Sequence, residues 1–168
     1  RAGREITVIC TAASRGAASA RNQAIERATG TFITGLDDDD YFLTNRIEQF
    51  VAHWREDVAG LCTCFIEEGD HYRLHGQQPI QTVDSQRIRR KNFVGNQVFT
   101  RTQYLVELKG FDQSLPGWMD YVLWLRLIDR VGALLKLPEC TCVLDRSARL
   151  SRITTGDIAR GGGVAFRR

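Results

Sequence analysis

The stretch TGTFITGLDDDDYFLTNR, residues 29–46, decides how the chain is to be read. Its apolar run, residues 31–36, has the length and composition of a short buried strand and stops at four consecutive carboxylates, Asp37, Asp38, Asp39 and Asp40. Adjacent acids raise one another's pKa and oppose compaction unless positive charge sits among them. Two readings are open: a solvated turn, since Asp is frequent in turns and at helix N-caps, or a divalent-cation site. Beyond the acids, Ile47, Phe50, Val51 and Trp54 recur at helical spacing and predict a helix over residues 45–56. The acids therefore occupy a strand-to-helix turn, and in an open parallel sheet ligands bind at the carboxyl ends of strands, where such turns lie. Hard oxygen ligands there suit Mg2+ or Mn2+ held together with substrate phosphates. A solvated turn more often carries one or two acids with Gly or Pro, so composition and position favour the cation.

Upstream, residues 5–10 form a short apolar strand in this reading. SRGAASARNQAIERATG, residues 14–30, follows as a glycine-containing loop, a helix opening near Ser19 and a stop at Gly30. With the strand over residues 31–36 and the helix after it, the order is β-α-β-α, which predicts an α/β domain with a mostly parallel sheet and right-handed crossovers.

Downstream the character changes. Residues 61–68 and 71–75 read as strands joined by a hairpin turn at Gly69-Asp70. Residues 76–92 read as polar and irregular, and they contain Arg87, Arg89, Arg90 and Lys91. That short basic run is read as a solvated face in preference to a contact with a phosphate-bearing acceptor or a membrane surface. A strand over residues 94–101 and a helix over residues 102–108 stopping at Gly110 come next. In GFDQSLPGWMDYVLWLRLIDRVG, residues 110–132, Pro116 and Gly117 break the chain ahead of a helix over residues 118–131. Asp120, Trp124, Leu127 and Val131 share one face of it. Asp120 thus points with the apolar stripe; an acid in a first helical turn also complements the helix dipole. Residues 146–168, with six arginines, the run Gly161-Gly162-Gly163 and few apolar residues, read as a basic, loosely ordered arm. The domain proper is residues 1–145.

The 168 residues are enough for one domain, and 43% hydrophobic with 26% charged residues is ordinary for a soluble globular chain. No apolar run approaches the roughly 20 residues of a membrane-spanning helix, and the first residues do not resemble a signal peptide. A net charge of +3 with scattered aromatics argues against a nucleic-acid partner. Five cysteines, an odd number, suggest reduced thiols in a cytoplasm. Four of them form two C-x-C pairs, Cys62 with Cys64 and Cys140 with Cys142, which admits a zinc site. Both pairs lie in strand-like runs, where a spacing of two puts the side chains on one face, so buried structural cysteine is preferred.

RGAASARNQAIERATGTFITGLDDDDYF resembles the central signature of family 2 glycosyltransferases with the GT-A fold: a Gly, then Ala-Arg-Asn, a helix ending in Ala-x-Gly, an apolar strand and Asp-x-Asp-Asp. Here these are Gly16, Ala20-Arg21-Asn22, Ala28-Thr29-Gly30 and Asp37 to Asp40. GNQVFTR and GFDQSLPGWMDYVLWLRL are similar to the acceptor-side strand and the Gly-Phe-Asp…Glu-Asp-x-x-x-Trp-x-Arg segment of that family. The likeness spans residues 6–127. It implies a GT-A-like, Rossmann-like sheet, mostly parallel and flanked by helices, with a smaller mixed acceptor-side portion. It implies an inverting transfer of sugar from a nucleotide sugar, UDP-linked, to a hydroxyl of a saccharide or lipid-linked acceptor, at the cytoplasmic face of a bacterial membrane.

By the same resemblance Arg21, Asp37 and Asp38 would face the nucleotide, Asp39 would hold Mg2+ or Mn2+, and Asp120 would be the catalytic base. Asn96, Gln97 and Trp124 would lie towards the acceptor. Met119 stands where the family has Glu, and Arg149 or Arg152 would meet phosphate where relatives place a His. The usual opening strand and its acidic turn have no counterpart, so roughly 50–60 residues, two β-α units, are expected upstream. The open strand edge would otherwise favour self-association and leave Ile6, Val8 and Ile9 partly uncovered. A nucleotidyltransferase on a similar sheet and a non-catalytic saccharide- or partner-binding domain are the rival readings.

Overall fold

A computed structural model describes residues 5–68, 73–75, 79–95 and 97–145. In chain order the elements are α1 (Gly16–Arg27), β1 (Phe32–Ile33), β2 (Asp40–Phe42), α2 (Arg46–His53), β3 (Gly60–Glu68) and β4 (Arg73–His75). They continue with β5 (Gln81–Val83), α3 (Ser85–Arg90), β6 (Phe99–Arg101), α4 (Thr102–Glu107), α5 (Met119–Val131) and β7 (Leu134–Asp145).

The sheet runs β1-β6-β3-β7-β2, with β4 on β3 and β5 on β7. Only the central pair, β3 with β7, is parallel; the other described pairings are antiparallel. The expectation of a mostly parallel sheet is therefore corrected to a mixed one. Parallel pairing needs a crossover with a helix, and the described chain supplies one between neighbours, through α3, α4 and α5 from β3 to β7. The β-α-β unit expected at the start does not form. Residues 5–10 lie outside the sheet, with Ile6 85% and Val8 77% exposed. The strand expected over residues 31–36 shortens to β1, which runs antiparallel to β6.

Helices do flank the sheet on both faces, because the central strands alternate. Cys62 and Leu134 face a core built with Ile25, Ile88, Leu105, Leu123 and Leu127. Their neighbours Leu61 and Leu135 face a second core with Phe50, Val58, Phe99 and Leu137. The second core is strongly aromatic: Phe99 stacks between Phe32 at 4.9 Å and Phe50 at 5.0 Å.

The segment read as irregular, residues 76–92, contains β5 and α3. Asp84 caps the helix by accepting from the Arg87 backbone N–H at 2.8 Å. Its basic residues are partly committed to the protein, Arg89 to Asp129 and Arg87 over the Phe93 ring at 4.7 Å. The hairpin expected between the two middle strands is present as antiparallel β3 and β4, its Gly69-Asp70 turn lying outside the described residues. The arm over residues 146–168 also lies outside them. No described helix is long and apolar enough to cross a membrane.

The C-x-C pairs lie in β3 and β7, with Cys62, Cys64 and Cys142 buried and Cys140 half-buried. A register shift around Cys64 sets Cys140 beside Cys64 and Cys142 beside Phe65. Burial pushes the Cys62 thiol up to about 12 and the Cys142 thiol up to about 11.

Candidate active site

Three segments converge: the acidic turn, the middle of α1 and the N-terminus of α5. The turn closes with the Asp40 N–H donating to the Asp37 carbonyl at 3.2 Å. Asp40 then enters β2, opposite Leu144 near the C-terminal end of β7. Closure brings the ends of the acidic run together, so carboxylate oxygens of Asp37, Asp39 and Asp40 lie within 4.8 Å of one another. Asp38, at the tip, is exposed and outside that group. Among the described residues this is the group of three or more possible ligands close enough to share one ion. All-oxygen, carboxylate-rich and open to solvent, it fits a hard divalent cation.

Arg21, on α1, donates to Asp37, and its guanidinium also lies 5.4 Å from the centre of the Phe111 ring. This cation sits beside the acidic turn, as the repulsion among four acids requires. The next residue does something different. Asn22 is buried; its Nδ2 donates to the Phe111 carbonyl at 2.9 Å and its Oδ1 accepts from the Phe111 N–H at 2.8 Å. Gly110, at φ 63°, makes room for it, since a Cβ there would stand 2.3 Å from Asn22 Oδ1. The Ala-Arg-Asn triplet thus ties the acidic turn to the Gly-Phe-Asp segment preceding α5.

Asp120 is the second residue of α5. Desolvation raises its carboxyl above the ordinary Asp value; the N–H groups of Tyr121 and Asp120 and the charge of Arg21 oppose the rise, and Asp37 adds to it. The structure therefore brings Asp120 into the electrostatic reach of the Arg21–Asp37 pair, which the spacing along the chain does not reveal. Trp118, just ahead of the helix, adopts φ 62°, ψ 15°, a left-handed conformation costing an L-residue about 1–2 kcal/mol.

Among the other expected contacts, Gln97 is buried, its Oε1 3.0 Å from where a Gly35 Cβ would lie, so it packs against the segment leading into the acids. Trp124 is buried in the core, donating from Nε1 to the Gly95 carbonyl at 3.1 Å and meeting Phe111 edge-on at 6.0 Å. Asn96, Arg149 and Arg152 lie outside the described residues.

Sequence reasoning missed Arg46. It is 1% exposed, donates to Thr63 Oγ1 at 2.7 Å and Thr141 Oγ1 at 2.9 Å, and is flanked by the Phe42 and Phe50 rings at 4.2 and 4.5 Å. Burial lowers its pKa to about 10, with Cys142 and Cys62 acting the other way. A signal was present in the two Cys-Thr-Cys strings: their central threonines, facing opposite the cysteines, hold this cation behind β2.

Comparison with known sequences and structures shows the family and the fold. The profile of Glycosyl transferase family 2 matches residues 2–110, and the chain belongs to that family. It is 34% identical over 145 residues to the putative colanic acid biosynthesis glycosyl transferase WcaA of Escherichia coli (strain K12), covering 83% of this chain and 52% of that protein. The chain thus spans about half the length of this curated relative. The crystal structure of S. aureus TarS 1-349 shares the fold at TM-score 0.63 and 17% identity, over 80% of this chain and 42% of TarS. TarS in complex with UDP-GlcNAc superposes at TM-score 0.65 and 16% identity, over 90% and 46% of the two chains.

Proposed function

We propose that the site transfers a sugar, with inversion, from a UDP-linked donor to a hydroxyl of a saccharide or lipid-linked acceptor. The observation that carries the reading is Asp120: a partly desolvated carboxylate at a helix N-terminus, in the field of an Arg–Asp pair that belongs to the acidic turn. A base with a raised pKa holds a proton more readily than an ordinary Asp. In the reaction Asp120 takes the proton of the acceptor hydroxyl as its oxygen attacks the anomeric carbon. The bond from that carbon to the UDP oxygen breaks on the opposite face, which inverts the centre.

Arg21, Asp37 and Asp38 face the nucleotide. Asp39, with Asp37 and Asp40 beside it, would hold Mg2+ or Mn2+, which would supply positive charge to offset the departing diphosphate. The bound UDP-GlcNAc of TarS supports a UDP-linked donor, and the likeness to WcaA, a colanic acid biosynthesis glycosyl transferase, supports an acceptor in polysaccharide assembly. A peripheral position at the cytoplasmic face of a membrane suits a lipid-linked acceptor.

Calorimetric titration of UDP with Mn2+ and with EDTA tests the reading. Tight binding with Mn2+ and weak binding with EDTA is expected; equal affinity in both overturns the metal-assisted mechanism.

A further inference from the structure

Trp118 is a large aromatic residue left 39% exposed at the mouth of α5. It also holds a left-handed backbone, an outlier for a bulky residue. The other described non-glycine residue with positive φ, Lys109 at 60°, has a local explanation. It ends α4, where its N–H donates to the Val106 carbonyl at 2.9 Å and the Gly110 N–H to the Leu105 carbonyl at 2.9 Å, as helix C-termini require. Trp118 has no such explanation, because it opens a helix and its side chain caps nothing.

What the conformation achieves is placement. The indole meets the Tyr121 ring edge-on, 6.2 Å between centroids, and Tyr121 is buried and anchored by its hydroxyl to the Ile88 carbonyl at 3.1 Å. The indole thus packs on an anchored ring while part of the residue stays open to solvent. It stands two positions before Asp120, with Met119 between them, so their Cα atoms are at most about 7 Å apart.

We propose that Trp118 is the stacking platform for the acceptor: a pyranose ring lies flat on the indole, with its attacking hydroxyl turned towards Asp120. One face of a pyranose carries several C–H bonds pointing the same way, and the negative face of an aromatic ring attracts them. A rigid, pre-placed ring gives affinity without ordering a side chain on binding, and strained backbone is characteristic of ligand clamps. The proposal rests on the glycosyltransferase reading and names an acceptor-side contact within it.

Saturation-transfer NMR on the full chain, with methyl β-D-galactopyranoside and methyl β-D-glucopyranoside as probes, tests it. The wild type should transfer saturation to the pyranose C–H protons, Trp118→Phe should retain the contact, and Trp118→Gly should weaken it about tenfold or more. Glycine relieves the left-handed conformation, so this variant should melt no lower than wild type, which separates lost stacking from lost folding. Asp120→Asn should keep the contact. No transfer in the wild type to either probe, or undiminished transfer in Trp118→Gly, overturns the platform. Titration of UDP with Mn2+ on the same samples reports separately on the donor half, so failure of UDP binding with the sugar contact intact would count against the transferase reading alone.

Discussion

The Asn22 side chain pairs with both backbone polar groups of Phe111, at 2.9 and 2.8 Å, across 89 positions of sequence. The pair works as a short piece of β-ladder made by a side chain. It fixes α1, and with it Arg21, against the segment that leads to Asp120. Removing it should therefore damage stability and the alignment of two parts of the site together.

Asn22→Ala leaves a buried donor and a buried acceptor without partners, and each such loss costs about 1–3 kcal/mol. Urea unfolding should show a loss of about 2–4 kcal/mol. Gly110→Ala, which drives a Cβ into Asn22 Oδ1 at a left-handed position, should be damaging for the same reason. A Gly110→Ala protein as stable as wild type would mean that the clamp is loose in solution.

The acidic run should divide by position. Asp39→Asn and Asp40→Asn take oxygens from the converged group and should weaken the Mn2+-dependent part of UDP binding, whereas Asp38→Asn should leave the metal dependence unchanged. Calorimetry with Mn2+ and with EDTA gives the split. Loss of metal coupling in Asp38→Asn alone would move the ligand set to the tip of the turn.

Asp120 should reveal itself through the pH dependence of stability. Its carboxyl is raised in the folded state, so above the ordinary Asp value the folded chain holds a proton that the unfolded chain has lost. Stability is therefore greatest below that value and declines as pH rises through the folded pKa. Asp120→Asn removes this decline and should melt higher than wild type at neutral pH. Turnover should fall by about 10²- to 10⁴-fold, with UDP affinity little changed. A variant that melts lower at pH 7 would show that the carboxylate is stabilised where it sits.

Arg46 should tolerate an apolar replacement better than a smaller cation. Methionine removes the desolvation of the charge and can fill the space between Phe42 and Phe50, and the threonine hydroxyls still meet at 3.1 Å. Lysine keeps a buried charge but loses the planar group that suits two ring faces. Chemical denaturation should rank Arg46→Met above Arg46→Lys; the reverse order would indicate a negative partner for this charge.

Thiol reactivity should follow burial. Cys10 is exposed, whereas burial holds Cys62 at about 12 and Cys142 at about 11, so at pH 8 those two remain thiols. Peptide mass spectrometry after brief iodoacetamide treatment should find Cys10 labelled first, with Cys62 and Cys142 labelled only on unfolding.

What the sequence by itself determined is mostly local. The spacing of Asp120, Trp124, Leu127 and Val131 placed α5, and Pro116-Gly117 its beginning, because helical periodicity and chain breaks act within a few residues. The acidic turn was legible for the same reason, and the ordered motifs from Gly16 to Trp124 carried the family. The tertiary structure alone decided which strands became neighbours and in which direction, which three of the four acids met, and that Asn22 reached Phe111 while Arg46 was drawn between two threonines. Strand direction in particular escaped local reading: alternating β and α elements predict parallel pairing only when each strand pairs within its own unit. Here β1 found β6 instead, and residues 5–10 joined no strand. Such pairings are chosen by the burial of surfaces far apart in the chain, a quantity that no short window of residues contains.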